Sequence, residues 1–118
     1  MIIIAGYELV STKQRDSWVA SFGDLVTRAR EFDGCLHVAI TADSVDPERI
    51  NTIEVWRDAE ALQQWRKQAN APRLGKPKYI SVQRYDATDG WPTVLSQPSP
   101  TEPYPVAPER RHDQCGTI

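Results

Sequence analysis

Between Ile50 and Trp65 a strand pattern runs without a gap into a helix pattern, with a tryptophan at the joint and another at the far end. Ile50, Thr52, Glu54 and Trp56 alternate with Asn51, Ile53, Val55 and Arg57, so a period of two sends them to opposite faces of a sheet. Asp58 can offer its carboxylate to the free amides of the next turn, and Glu60 sits near the positive helix end. Ala61, Leu62 and Trp65 then recur at helical spacing as a buried stripe. A short strand-to-helix joint with a tryptophan on both sides makes an aromatic wall, and such walls line pockets.

The remaining elements follow from the same two periods. Residues 2–10 read as a strand rich in Ile and Val. Ser11 and Gln14 have capping-box spacing, and Trp18, Phe22, Leu25, Val26 and Ala29 recur at three and four, which predicts one long helix from Thr12 to about Phe32. Gly34 stands where a helix end calls for a left-handed residue. In the next strand, CLHVAITA, Leu36, Val38 and Ile40 share one face and His37, Ala39 and Thr41 the other. Asp43 to Arg49, with Asp46-Pro47, reads as a loop. The second helix closes near Asn70, and a last strand runs from about Lys78 to Tyr85.

The resulting order, β-α-β-β-α-β, predicts an α+β fold of the ferredoxin-like type, a four-stranded antiparallel sheet with its helices on one face. The strands are nevertheless apolar on both parities, with Ile2 and Ile4 on one and Ile3, Ala5 and Leu9 on the other. An uncovered apolar sheet face of more than a few hundred Å² binds a partner. The simplest partner is a second copy packed sheet to sheet, which predicts a homodimer in the form of an α+β barrel.

Composition removes several classes of function. A chain of 118 residues makes one domain, and a formal charge of −2 offers no basic field for nucleic acid. The longest apolar run, Ile2 to Ala5, is far too short to span a bilayer, and no charged leader followed by a long apolar stretch is read at the start, so no membrane association and a cytoplasmic location are expected. Cys35 and Cys115 form neither a disulfide framework nor a metal cluster, and are read as incidental thiols. With His37 and His112 as the only histidines, a multi-histidine metal site within one subunit is not available. No phosphate-binding glycine loop and no Ser/His/Asp arrangement is present.

After Asp86 the character changes. Six of the nine prolines fall between Pro92 and Pro108 and bulky aliphatic residues nearly vanish, so 1–86 is read as the folded domain and 87–118 as a proline-rich tail or arm. Trp91, Val94, Leu95 and Tyr104 are the anchors such an arm would use on a partner subunit.

The folded part leaves an aromatic-walled pocket with polar groups drawn from Tyr7, His37, Asn51, Trp56, Trp65, Tyr79, Arg84 and Tyr85, suited to a flat aromatic ligand. His37 is the default base, because imidazole alone titrates near neutrality without perturbation. Its other reading is a residue of the dimer interface. Glu54 is a second candidate base, or a partner for Arg57 or Arg84.

AGY at 5–7, Ala29, Arg30, Gly34 and Cys35 at the helix end, Asp43 and Asp46-Pro47, NxxExW at 51–56 and EALxxW at 60–65 together resemble the antibiotic biosynthesis monooxygenase family, over residues 2–85. The resemblance implies a dimeric ferredoxin-like barrel that oxygenates quinols, anthrones and related polycyclic aromatics with molecular oxygen and no flavin, haem or metal. Such a reaction works because a deprotonated phenol is electron-rich enough to reduce oxygen directly. A donor aimed at the developing oxyanion in a dry site contributes about 3 kcal/mol. On this reading His37, Tyr7 and Trp65 are the catalytic candidates, and Trp56, Asn51, Arg84 and Tyr79 bind the substrate.

Departures at four positions narrow the expectation. Quinol-oxidising relatives often carry histidine where this chain has Trp65, and again where it has Asn70. Haem-degrading relatives use an asparagine where this chain has Tyr7 and a histidine near Gly75, so haem would lack its axial ligand here. The alternative to an enzyme is a dimeric protein that binds small aromatic ligands without turnover.

Overall fold

The computed structural model describes residues 1–88. Its elements are β1 (Ile2–Leu9), α1 (Thr12–Ser21), α2 (Gly23–Glu31), β2 (Cys35–Ala42), β3 (Arg49–Trp56), α3 (Ala59–Arg66) and β4 (Tyr79–Asp86). Every neighbouring pair of strands is antiparallel, in the order β2-β3-β1-β4. This is the expected ferredoxin-like α+β arrangement. The tail positions, including Trp91, Val94, Leu95, Tyr104, His112 and Cys115, lie outside the described residues. Among the described residues no helix is long and apolar enough to cross a membrane.

The single long helix expected over 12–32 is interrupted. Phe22 closes the first segment with a tightened turn, its amide donating to the Val19 carbonyl at 3.1 Å, and Gly23, a weak helix former, starts the second segment. The break has a packing consequence. α1 buries only Trp18, whereas α2 presents Leu25, Val26 and Ala29 to the sheet. The expected capping box is also different in form: the Ser11 hydroxyl donates to the Gln14 side chain at 3.1 Å and caps no backbone amide. Asp58 does cap α3, accepting from the Ala61 amide at 2.8 Å. That bond is the main reason its carboxyl is held below the usual range.

Register fixes which side chains share a face. Ile2 pairs with Trp56, Ile4 with Glu54, Gly6 with Thr52 and Glu8 with Ile50. These residues stand on the helix-covered face with Val38 and Ile40. The alternation expected for β2 holds except at its start. A bulge between Cys35 and His37 removes Leu36 from the pairing and leaves it 55% exposed.

The core under the helices is divided in two. One cluster joins Ile2, Ile4, Ala29, Val38, Trp56, Ala61, Leu62 and Trp65; the other joins Val10, Trp18 and Ile50, with Phe22 and Ile40 against it. Between them the sheet carries Gly6 on β1 and its partner Thr52 on β3, too small to fill the space. Gly6 is required for a second reason. A Cβ there would run into the backbone of Ser81 and Val82, because the paired strand β4 approaches closely at this position.

Candidate functional site

The seam between the two clusters is a cavity of about 340 Å³, within the range of small-molecule sites. Phe22, Leu25 and Ala29 form its roof, Val38, Ile40 and Thr52 part of its floor, and Trp65, Arg66, Ala69 and Ala71 one end wall. Ile80 and Val82 of β4 close the other side while remaining partly open to solvent.

Two carboxylates interrupt this apolar lining, Glu8 on β1 and Glu54 on β3. Each is held by the tryptophan of its own core cluster. The Trp18 indole donates to Glu8 Oε1 at 3.1 Å, and the Trp56 indole donates to Glu54 Oε1 at 3.0 Å. A carboxylate tied through one oxygen keeps acceptor capacity on the other. Glu54 does not pair with Arg57, whose guanidinium instead reaches Asp33 and Asp58.

Trp65 is the best-supported wall of the cavity. It stacks on Trp56 with ring centroids 6.0 Å apart and an interplanar angle of 26°, and Phe32 meets it edge-on at 5.5 Å. Arg28 lies 5.6 Å from the ring centre and also donates to the carbonyl of Ala69 at 2.8 Å, which ties the end of α3 to α2. The ring is therefore fixed from several sides before any ligand enters.

The seven site residues expected from the sequence do not come together. Trp65 lines the cavity, and Trp56 lies behind it, fully buried. Arg84 shares their side of the sheet, opposite Ile4, but is exposed on the edge strand β4. His37, Tyr7, Asn51 and Tyr79 have the other parity and stand on the face that no helix covers among the described residues. Period two is the physical reason: His37 pairs with Val55 and Tyr7 with Asn51, all pointing away from the helices. Within one subunit His37 is thus separated by the sheet from any ligand in the cavity.

On that outer face Tyr7, Arg49, Asn51 and Tyr79 form a network of their own. The Arg49 guanidinium lies 4.0 Å from the Tyr7 ring centre and donates to Asn51 Oδ1 at 2.7 Å. Asn51 in turn donates to Asp43 Oδ1 at 2.8 Å, and the rings of Tyr7 and Tyr79 lie 5.9 Å apart. The backbone amide of Asp46, the Asn51 amide and the backbone amide of Val45 draw the Asp43 carboxyl down to about 2.

Glu8 is the site residue that the sequence reading missed, and Glu54 was only weighed. A signal was available. Both are charged residues on the strand parity that otherwise carries Ile2, Ile4, Ile50 and Trp56. Burial raises the Cys35 thiol above its usual value, which disfavours a nucleophilic thiolate. Among the described residues no group of three His, Cys, Asp or Glu side chains could hold a metal ion.

Comparison with known proteins adds the family. The family model for antibiotic biosynthesis monooxygenase matches residues 1–72. A candidate antibiotic biosynthesis monooxygenase of Deinococcus radiodurans superposes with a TM-score of 0.59 at 17% identity, covering 78% of this chain and 97% of that one. A candidate of the same description from Nitrosomonas europaea gives 0.61 at 12% identity, covering 74% and 98%. A conserved protein from Methanosarcina mazei gives 0.59 at 15% identity, covering 74% and 92%. The search of curated proteins returns no match. The structural likenesses establish a shared fold, and the family model spans more than half of the sequence. The chain belongs to the antibiotic biosynthesis monooxygenase family.

Proposed function

We propose that the protein is a monooxygenase that oxygenates a reduced aromatic, of the quinol or anthrone type, with molecular oxygen and without flavin, haem or metal. The observation that carries this reading is the cavity between helices and sheet, walled by Trp65 and Phe22 and holding Glu54 on its floor. An aromatic ring packs between such walls, and a fixed carboxylate within reach of a ring hydroxyl can accept its proton.

For an anthrone the sequence of events balances as follows. Glu54 takes the proton that converts the ring ketone and its CH2 into an enolate. The enolate passes one electron to oxygen, giving a carbon radical and superoxide, which couple to a peroxide. Glu54 returns its proton to the peroxide anion, and loss of the remaining C–H proton with cleavage of the O–O bond, hydroxide leaving and taking up that proton, gives a ketone and water. Trp65, Thr52 and Arg66 supply donor groups around the cavity for the oxygen-centred charge.

The same proposal includes a cytoplasmic homodimer. Its support is the uncovered face, where Ile3, Ala5, Leu9, Ala39, Ile53 and Val55 surround the Tyr7–Arg49 network. A second copy packed there would cover His37 as well, which gives that residue an interface role and leaves the base to Glu54.

The test is oxygen uptake by purified, colourless, metal-free protein across a panel of anthrones and quinols. Uptake above autoxidation, reduced at least tenfold by Glu54→Gln and clearly lowered by Trp65→Phe, is the expected result. No uptake with any member, together with saturable quenching of tryptophan fluorescence, would replace the enzyme by a ligand-binding dimer.

A further inference from the structure

The two carboxylates of the cavity sit at opposite ends of its floor. Glu8 pairs with Ile50 and Glu54 with Ile4, so four ladder positions separate them. At the rise of an antiparallel strand their backbone positions are roughly 13 Å apart along the sheet. Between them lie Gly6 and Thr52, where the floor is flat and open. Each carboxylate is oriented from outside the cavity by an indole, Trp18 at one end and Trp56 at the other.

From this geometry we infer that Glu8 and Glu54 together determine specificity, selecting a flat, uncharged aromatic ligand with a hydroxyl at each end. The inference rests on the proposed aromatic chemistry of the site but adds which aromatics enter. Because each carboxylate is drawn outward to its indole, a ligand that hydrogen-bonds both must reach across most of that backbone spacing. The hydroxyls of a single ring stand too close together for this, whereas fused rings with a hydroxyl at each end extend further. The roof and wall, Phe22, Leu25 and Trp65, suit the faces of such a ring system.

The same pair sets what is refused. A carboxylated aromatic of the same length would bring like charges against both ends of a largely apolar cavity, where their repulsion is poorly screened. Among the described residues Arg66 is the one cation of the lining; it is exposed and cannot offset two carboxylates. A hydrocarbon of the same shape would leave both carboxylates without a ligand donor.

The experiment is equilibrium binding under anaerobic conditions, read by tryptophan fluorescence and calorimetry, so that no turnover intervenes. The probes are a naphthalene diol with hydroxyls at its opposite ends, the dicarboxylate and hydrocarbon of the same shape, and a single-ring quinol. The diol should bind most tightly, and Glu8→Gln and Glu54→Gln should each weaken it by about tenfold. The same two variants should strengthen binding of the dicarboxylate. That inversion of sign is a result that loss of structure cannot produce, and matched thermal melts confirm the fold. Equal affinity for diol and dicarboxylate in the wild type, diol binding unmoved by both substitutions, or tighter binding of an aliphatic diamine of the same span would overturn the inference. Diol selectivity without oxygen uptake by any aromatic would leave it standing and remove the oxygenase; uptake with binding blind to both substitutions would do the reverse.

Discussion

Trp56 donates its indole N–H to the carboxylate of Glu54, two residues earlier on the same strand face, at 3.0 Å. The bond joins the most buried aromatic residue of the core to the polar group of the cavity. Trp56→Phe keeps a ring at the base of the Trp65 stack but removes the donor and part of the packing. The expected loss is about 2–3 kcal/mol in denaturant unfolding, from a hydrogen bond to a charged group plus lost buried area. The companion change Glu54→Gln keeps an acceptor for the indole and should cost less than half as much. Equal losses for the two would mean that the indole is not what orients Glu54.

The three glycines with distinct surroundings should respond in different directions. Gly34 has φ +94°, and a Cβ there would meet the Cβ of Ala61, so Gly34→Ala should destabilise by about 2 kcal/mol or more. Gly6→Ala would push a methyl group into the β4 backbone and should loosen the β1–β4 ladder, seen as faster amide exchange from Tyr79 to Asp86. Gly23 begins α2 with open space where a Cβ would stand. Gly23→Ala should therefore raise stability by about 0.5 kcal/mol.

These positions show what the sequence could and could not reveal. The order of elements was legible because Ile50–Trp56 alternates and Ala61, Leu62 and Trp65 do not; Asp58 marked its helix start, whereas Gly34 is left-handed as expected but lies two residues past the extended Phe32 cap of α2. The site was not legible in the same way. Chemical type alone singles out His37, Tyr7, Asn51 and Tyr79 as polar or aromatic groups. Strand parity, already visible in Ile2, Ile4, Gly6 and Glu8, placed them on the far side of the sheet. What parity alone could not show is where the core divides. The break at Phe22 and the small pair Gly6–Thr52 open the cavity, and both depend on how α2 lies across the sheet.

Asp43 makes the β2–β3 connection sensitive to acid. Its carboxyl accepts from the backbone amides of Asp46 and Val45 and from Asn51, which lowers it to about 2 from the usual value near 4. At intermediate pH the unfolded chain binds a proton there that the folded chain does not. The stabilisation is therefore complete above about pH 4 and is lost as pH falls through about 2. Asp43→Ala should lower the melting temperature at neutral pH, and the gap from wild type should close on acidification over that window. Were the gap constant with pH, the Asp43 contacts would owe nothing to its charge.

The uncovered sheet face gives the sharpest test of assembly. Ile53 and Val55 stand at its centre on β3, beside Ala5 and Ile3 of β1 and Ala39 and His37 of β2. In a face-to-face dimer Val55 would be enclosed, and a carboxylate there would lose its water without gaining a partner. Val55→Glu should leave the far-ultraviolet circular dichroism spectrum unchanged and convert the species seen by light scattering from dimer to monomer. A charge at Gln64, exposed on α3 away from that face, should leave the dimer intact. If Val55→Glu stays dimeric, the sheet face is not the interface, and His37 and the Tyr7–Arg49 pair must serve something other than self-association.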